Sequence, residues 1–383
     1  MKIAFDGQPL LNANKTGIAY YEDGLVKGML KYYPENEYQL DVFTFRGREE
    51  KIQYLEEYGE FITKNECTHF PGSLFRMLSM FFPIPYSLFF RRKSDITHFC
   101  NYVIPFGVRG KKIVTVHDLA FREYPETIRK RTLLMLKSSL KRSIRRADAI
   151  LADSEFTKQE ILKYYNVPEE KIYVVPCGID TNKFYPIEDQ AEIERTKEKY
   201  GIHGEYYLYL GTLEPRKNIE GILEAYGKLK KDSEEPIPKM VIAGGKGWLF
   251  DSIFEKVKKQ NLEEDVIFTG YVDETDKVQL LNGAMAFCFP SFYEGFGMPP
   301  MEAMACGTAV ITSNGNSLFE VTGEAAIHVE PTDISQISEA LRRVWKDEVY
   351  RKELEEKGFE QVKMYSWKKA VDALYKVYED VAK

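Results

Sequence analysis

Cysteine is scarce in this chain of 383 residues. There are five, Cys67, Cys100, Cys177, Cys288 and Cys306, an odd number, far apart and mostly set in apolar strand-like or helical runs. Such cysteines read as small buried hydrophobes in a reducing compartment, not as a disulfide framework. Long apolar runs are missing too: nowhere do about 18 uncharged apolar residues follow one another, so no spanning helix is expected. The amino end, MKIAFDGQPLL, opens directly on a strand rather than on a leader peptide, and a cytoplasmic location is the expectation. No two aspartates are separated by a single residue, and His and Cys are nowhere clustered. A phosphate-bound divalent cation would want such ligands, so neither metal nor cofactor is expected. The GxGxxG and GxxxxGK[ST] phosphate loops are absent as well, which disfavours a simple dehydrogenase or a P-loop nucleotidase.

The net charge of −6 hides an asymmetry. Between Phe70 and Ile150 there are 16 Lys and Arg against 5 Asp and Glu, a local +11 that leaves the remainder at −17. One face is therefore built for anions. Within it, Ser73 to Lys93 is dense in Phe, Leu and Met and ends in a basic cluster, and Arg129 to Arg146 is a basic helical stretch carrying Leu133, Leu134, Leu136, Leu140 and Ile144. Two readings stand for this block: a surface that lies on an anionic bilayer as a peripheral contact, or core filling with a solvated basic helix face. Clustered rather than interleaved aromatics favour lipid over nucleic acid, and no nucleic-acid partner is expected.

Strand-like runs alternate with helical patterns along the whole chain. KIAF, LDVFTF, DITHF, KIVTVHD, AILADS and IYVVP form one series; YYLYLG, KMVIAGG, VIFTG, AFCFPS, TAVITS and AIHVEP form a second. In the second they alternate with helical stretches over 218–231, 250–260, 275–282 and 299–306. Such alternation means βαβ units, so the fold class is α/β with two doubly wound, Rossmann-like domains facing across a cleft. The expected boundaries are 1–185 for an acceptor domain, 186–204 for a linker and 205–365 for a nucleotide-sugar domain. A final helix over 366–383 would pack back toward the first domain.

The segment SFYEGFGMPPMEAMACGTA, Ser291 to Ala309, sets Glu294 and Glu302 eight positions apart across a glycine-rich turn that opens a helix. Glu294 falls outside a strand's carboxyl end, where open α/β sheets bind ligands, and Glu302 falls in or near the first helical turn. Two carboxylates would repel a diphosphate, so their chemistry is to accept hydrogen bonds from the hydroxyls of ribose or hexose. Beyond the first strand of the second series, Arg216 and Lys217 precede Asn218, a good N-cap residue. Two cations at a helix start oppose its dipole and invite an anion, and a fork beside a point charge suits a leaving diphosphate. In the first half, Gly17 in Lys15-Thr16-Gly17-Ile18 permits a close phosphate approach before a helix expected from about Ala19. His117 ends the strand Lys112 to Val116 at the cleft edge, with Asp118 either holding its ring or capping the next turn.

Jointly these residues resemble the retaining glycosyltransferases of family 4, which have the two-Rossmann-domain GT-B fold. The likeness covers nearly the entire length and rests on EGFGMPPME at Glu294 to Glu302, Arg216-Lys217, Gly17, His117, DSEFTK at Asp153 to Lys158 and NSLFEVTGEAA at Asn316 to Ala326. It implies a retaining, metal-independent hexosyltransferase. Glu302 would bind the donor ribose, Glu294 with the backbone of Phe296, Gly297 and Met298 the transferred sugar, and Arg216 and Lys217 the diphosphate. Asn316, Ser317 and Leu318 would line the diphosphate end, Gly17 would approach the phosphates from the other domain, and His117 would touch the sugar near its 6-position. The leaving phosphate would help accept the acceptor's proton on the front face. Two positions depart from the pattern: Thr16 stands where a second glycine is usual, and Phe319 stands before Glu320 where many members carry proline.

The run GFGMPPMEAMACGTAV is similar to bacterial mannosyltransferases. It implies GDP-mannose as donor, with dTDP-rhamnose and UDP-hexoses as alternatives, and a lipid-linked surface polysaccharide or other carbohydrate as acceptor. Other readings are an epimerase or phosphorylase on the same fold and a non-catalytic sugar-nucleotide-binding subunit. An epimerase would need acid and base groups in the cleft and a phosphorylase a cofactor lysine that is not identifiable, and the glutamates, Arg216, Lys217 and His117 weigh against the binding subunit.

Overall fold

A computed structural model of the chain describes residues 1–12, 15–245, 247 and 251–383. Its residues fall into two units, Met1–Gly178 with Trp367–Lys383, and Ile179–Ser366.

The first unit is built on a parallel sheet of β1 (Lys2–Asp6), β2 (Glu37–Phe43), β3 (Ile62–Cys67), β4 (Ile96–Phe99), β5 (Lys111–Val116), β6 (Ala149–Ala152) and β7 (Ile172–Val174). Their spatial order is β3-β2-β1-β4-β5-β6-β7. Ile3 sits between Tyr38 and Ile96 in register. β4 and β6 are buried along their whole length, which explains why they read as short apolar runs: helices cover both faces. β3 is the strand the sequence patterns miss. Its ITKNEC is polar because it lies at the sheet edge, where only Ile62 and Cys67 are buried.

The last helix, Trp367–Ala382, belongs to this unit and lies on the helix Gly17–Tyr32. Glycines at 24 and 28 make the approach possible: a Cβ on Gly24 would come within 2.2 Å of the Trp367 ring, and one on Gly28 within 2.5 Å of Val371. The rings of Tyr33 and Tyr375 stack at 3.8 Å. His98 on β4 anchors the same helix, with one ring nitrogen 2.8 Å from the Tyr378 hydroxyl and the other 2.8 Å from Thr115 Oγ1.

The second unit carries β8 (Tyr206–Leu210), β9 (Lys239–Ala243), β10 (Val266–Gly270), β11 (Ala286–Phe289), β12 (Ala309–Ser313) and β13 (Ala326–Val329). The order is β10-β9-β8-β11-β12-β13. All six follow the expected runs. Helices Ile219–Asp232, Asp251–Lys259, Glu274–Gly283 and Met298–Ala305 alternate with them; Phe250, expected to begin one of these, lies outside the described residues. Both sheets reverse their strand order once, between β1 and β4 and between β8 and β11, and such a reversal opens a crevice at the strands' carboxyl ends.

The boundaries differ from the sequence expectation. The first unit stops at Gly178, and the stretch 186–204 is no bare linker. It contains the helix Gln190–Lys199, capped by Asp189 and packed in the second unit. Gln279 donates to Glu192 at 2.5 Å, and Lys199 and Tyr200 both bond Asp276. The charged faces of this helix and of Glu274–Gly283 complement each other, which a reading of either alone cannot reveal.

The block Ser73 to Lys93 divides between its two readings. Phe75, Tyr86 and Phe90 enter the core, whereas Met77, Phe81, Phe82 and Leu88 are exposed. All five cysteines are free and buried.

Candidate functional site

The loops leaving β8 and β11 meet at the second sheet's switch point. Arg216 and Lys217 close a single 3-10 turn, Pro215–Lys217. The Phe292 N–H donates to the Arg216 carbonyl at 2.9 Å, which pulls this turn against the loop after β11. Lys217 Nζ then donates to Glu294 Oε1 at 2.6 Å, and Arg216 Nη1 donates to Glu294 Oε2 at 2.9 Å and to the Tyr293 carbonyl at 2.5 Å. Arg216 Nη2 donates to Glu214 Oε1 at 2.8 Å. Two cations and two carboxylates thus share one nearly buried cluster, with side-chain exposures of 8 to 13%.

Burial alone would raise the Glu294 carboxyl, but the charges of Arg216 and Lys217 overrule it and hold it down to about 2. Lys217 is lowered, first by burial and then by the adjacent guanidinium; one carboxylate does not fully compensate. Its ammonium also lies 4.8 Å from the centre of the Phe289 ring. The pair is therefore asymmetric: the carboxylate is firmly ionised, while the ammonium gains from any further anion brought to it.

Asn218 occupies the N-cap position of the helix Ile219–Asp232, but its side chain does not cap it. It adopts φ 57°, makes no capping bond, and its side-chain amide donates to the carbonyls of Pro290 at 3.1 Å and Pro331 at 2.7 Å. It ties together the ends of three loops, a tertiary task that outweighs its local preference for an N-cap.

The glycine-rich turn is held from behind by the helix Asn316–Thr322. Gly297 has φ 114°, and a Cβ there would fall 2.4 Å from Leu318, so both the backbone and the packing require glycine. Ser317 is fully buried with its hydroxyl against the carbonyls of Glu294 at 2.8 Å and Phe296 at 3.0 Å. Its side chain positions the turn. Leu318 is buried, and its N–H donates to Asn316 Oδ1 at 3.0 Å, so that an anion at this end would displace the Asn316 side chain. Phe296 packs edge-on against Tyr365. Met298 begins the helix Met298–Ala305, whose next two residues are prolines without N–H groups, leaving few backbone donors at this start.

Glu302 stands at the start of the second turn of that helix, next to the first. Glu294 and Glu302 hold separate partners, since Glu302 pairs with Lys277 at 2.6 Å.

In the first unit, His117 follows β5 and is buried. Its Nδ1 lies 2.7 Å from Asp153 Oδ2 and its Nε2 lies 2.6 Å from the Cys100 carbonyl. Both partners are acceptors, an arrangement that favours the charged ring, in which both nitrogens donate. Burial opposes this charge, but Asp153 outweighs it and the His117 pKa is raised. Asp153, not Asp118, holds the ring; Asp118 accepts from the Ala120 N–H at 3.1 Å. Gly17 is the exposed first residue of its helix, which starts two positions before the expected Ala19.

Comparison with known proteins gives the family. The model for Glycosyltransferase Family 4 matches residues 25–183, and that for Glycosyl transferases group 1 matches residues 191–361. O-antigen chain mannosyltransferase B of Escherichia coli is 33% identical over 288 residues, which span 75% of this chain and 74% of that protein. The chain belongs to glycosyltransferase family 4. Serotype-specific mannosyltransferase WbdA of Escherichia coli is also 33% identical to this family 4 chain, over 224 residues that span 58% of it and 27% of WbdA. Among solved structures, Anabaena HepE in complex with UDP and glucose superposes with a TM-score of 0.75 at 15% identity, covering 99% of this chain and 100% of HepE. That is a likeness of fold, and the fold is GT-B.

Sequence reasoning misses three partners in this family 4 chain. Glu214, in LEPRK, neutralises Arg216 from two residues away, and the short spacing was a usable signal. Lys277 and Asp153 reach Glu302 and His117 only through the fold. Among the described residues no group of three or more His, Cys, Asp or Glu is arranged to hold a metal ion.

Proposed function

We propose that the chain is a retaining, metal-independent hexosyltransferase that moves mannose from GDP-mannose to a growing lipid-linked surface polysaccharide. The likeness to O-antigen mannosyltransferases supports the sugar and the class of acceptor. The observation that carries the chemistry is the pair Arg216–Lys217, fixed by Glu294 at the carboxyl end of β8 and β11. As the glycosidic bond breaks, negative charge grows on the leaving diphosphate. Two preorganised cations in a nearly dry site stabilise that charge without reorganising. Lys217 has three donors, of which Glu294 takes one, and the lowered ammonium is restored by the arriving phosphate. Glu294 fixes both cations, and its remaining lone pairs accept the sugar's hydroxyls. Glu302 receives the ribose diol, and the backbone of Phe296, Gly297 and Met298 receives the transferred sugar. With the cations holding the diphosphate on one face, its oxygen accepts the acceptor's proton on that face, which retains the anomeric configuration.

The same proposal puts the protein at the cytoplasmic face of a membrane. Phe81, Phe82, Leu88 and Leu134 are between 59 and 69% exposed, and Lys130, Lys137, Lys141 and Arg145 share an exposed face with Leu134 on the helix Lys130–Arg146. Arg142 binds the Met80 carbonyl at 2.7 Å and joins the apolar tip to that helix. Apolar side chains beside a row of cations fit an anionic lipid surface.

A panel of nucleotide sugars, GDP-mannose, dTDP-rhamnose and UDP-hexoses, with lipid-linked acceptors tests the reading. Release of GDP from GDP-mannose with an α-linked product supports it. Binding without release from any donor overturns it in favour of a non-catalytic subunit.

A further inference from the structure

The first unit carries a pocket of about 670 Å³ over the carboxyl ends of β1, β2, β3 and β4. Three cations line it: Arg46 and Lys51 from the segment after β2, and Arg76 from the helix Gly72–Phe81. The ion pairs of the described residues, among them Lys15–Glu57 and Arg48–Glu66 close by in the chain, include none of the three. Phe45 stands 41% exposed at the rim with the Arg46 guanidinium 5.9 Å over its ring, a face on which a sugar can lie. Gln8, Asn12, Ser73 and Asn101 add neutral hydrogen-bonding groups.

Two acids lie near Arg76. Asp6 and Glu22 both feel the Arg76 guanidinium, yet burial raises each carboxyl. Glu22 is fully buried, and neither of its oxygens has a hydrogen-bond partner. Three cations outside the ion pairs of the described residues, around a cavity of this size, are well suited to a phosphate ester.

We propose that this pocket takes the acceptor through a phosphate group, with Arg46, Lys51 and Arg76 as its counter-charges and Phe45 as the platform for the adjoining sugar. The assignment rests on the glycosyltransferase reading and names the acceptor's chemistry: a sugar carried on a phosphate or diphosphate. The phosphate can belong to a lipid carrier or to a soluble sugar phosphate.

The test is titration of the full chain, saturated with GDP, by mannose 1-phosphate, octyl phosphate and the neutral octyl mannoside. Both phosphates, or either one, should bind at least tenfold more tightly than octyl mannoside and lose that advantage at high salt. Tighter octyl phosphate assigns the charge to the lipid side, and tighter mannose 1-phosphate to a soluble acceptor. Arg46→Ala and Arg76→Ala, both at exposed positions, should each weaken phosphate binding about tenfold while leaving GDP affinity within about twofold. Equal affinity for the neutral and phosphorylated probes, or phosphate binding indifferent to both substitutions, overturns the assignment. Failure of GDP to bind counts instead against the proposed donor, and the three titrations without GDP, repeated in Lys217→Ala, still read the pocket.

Discussion

Glu294 bridges Lys217 and Arg216, one carboxylate oxygen 2.6 Å from the ammonium and the other 2.9 Å from the guanidinium. An exposed ion pair of this kind contributes little, but a nearly buried one creates an imbalance when either partner is lost. The two ends of the bridge are not equivalent. Glu294 is the one carboxylate between two cations, whereas Lys217 can leave and Arg216 still pairs with Glu294.

Lys217→Ala should therefore separate catalysis from folding. The diphosphate loses one of two fixed charges, and kcat for GDP release should fall by about 10²-fold or more. The melting temperature should move by no more than a few degrees. Thermal melts and initial rates on the same preparation decide: unchanged turnover removes Lys217 from the reaction, and outright unfolding contradicts the compensation by Arg216.

Glu294→Ala should behave in the opposite way. Two adjacent buried cations would be left with Glu214 alone, a loss of about 3–5 kcal/mol. Urea unfolding of Glu294→Ala against Lys217→Ala measures the difference. Equal midpoints would mean that Glu294 is not the balancing charge.

The depressed carboxyl also sets an acid limit. Glu294 titrates at about 2 in the folded protein against 4.5 when unperturbed, so its contribution to stability is complete above about 4.5 and is lost as pH falls toward 2. Between those values the wild type should lose stability more steeply than Glu294→Gln, which has no proton to take up. Urea midpoints at pH 5, 4 and 3 report this, and parallel curves for the two proteins would refute it.

His117 predicts a trend of the other sign. Its pKa is raised above the ordinary 6.5, because the Asp153 carboxylate outweighs the opposing effect of burial. The stability it contributes is full below about 6.5 and disappears as pH rises through the folded value. Denaturation midpoints of the wild type should fall as pH rises above 6.5, and Asp153→Asn should flatten that slope. An identical slope in both proteins would mean that the imidazolium is not what titrates.

The parts legible in sequence are those where local pattern and global fold agree. AFCF and AVITS read as central strands because burial on both faces demands continuous apolar residues. ITKNEC does not, since an edge strand keeps water on one side. Glycine at 297 is legible as a turn, but that it faces Leu318 is not, because the two residues lie 21 positions apart. Asn218 misleads for the same reason: its cap preference is local, while the carbonyls of Pro290 and Pro331 reach it only through the sheet. The site residues were identifiable as types with a chemistry. Their partners Lys277 and Asp153 come from distant segments, and no spacing encodes them. Gly24 and Gly28, four apart on one helix, did carry a readable sign of close helix packing, which the Trp367–Ala382 helix fulfils.

The exposed aromatic tip offers a last test. Phe81 and Phe82 are 69 and 60% exposed at the end of the helix Gly72–Phe81, while Phe75 on the same helix is buried. Replacing the two exposed rings removes lipid contacts without opening the core, so Phe81→Ser/Phe82→Ser should keep the wild-type melting temperature within a few degrees. Wild-type protein should sediment with vesicles containing anionic lipid at low salt and release from them at high salt, because the row Lys130, Lys137, Lys141 and Arg145 contributes about 1 kcal/mol per charge near such a surface. The double variant should sediment much less at every salt concentration. Substituting Lys137 and Lys141 by Gln should weaken the salt-sensitive part alone. Equal sedimentation of the double variant and the wild type would return these rings to the ordinary exposed hydrophobics of a soluble surface.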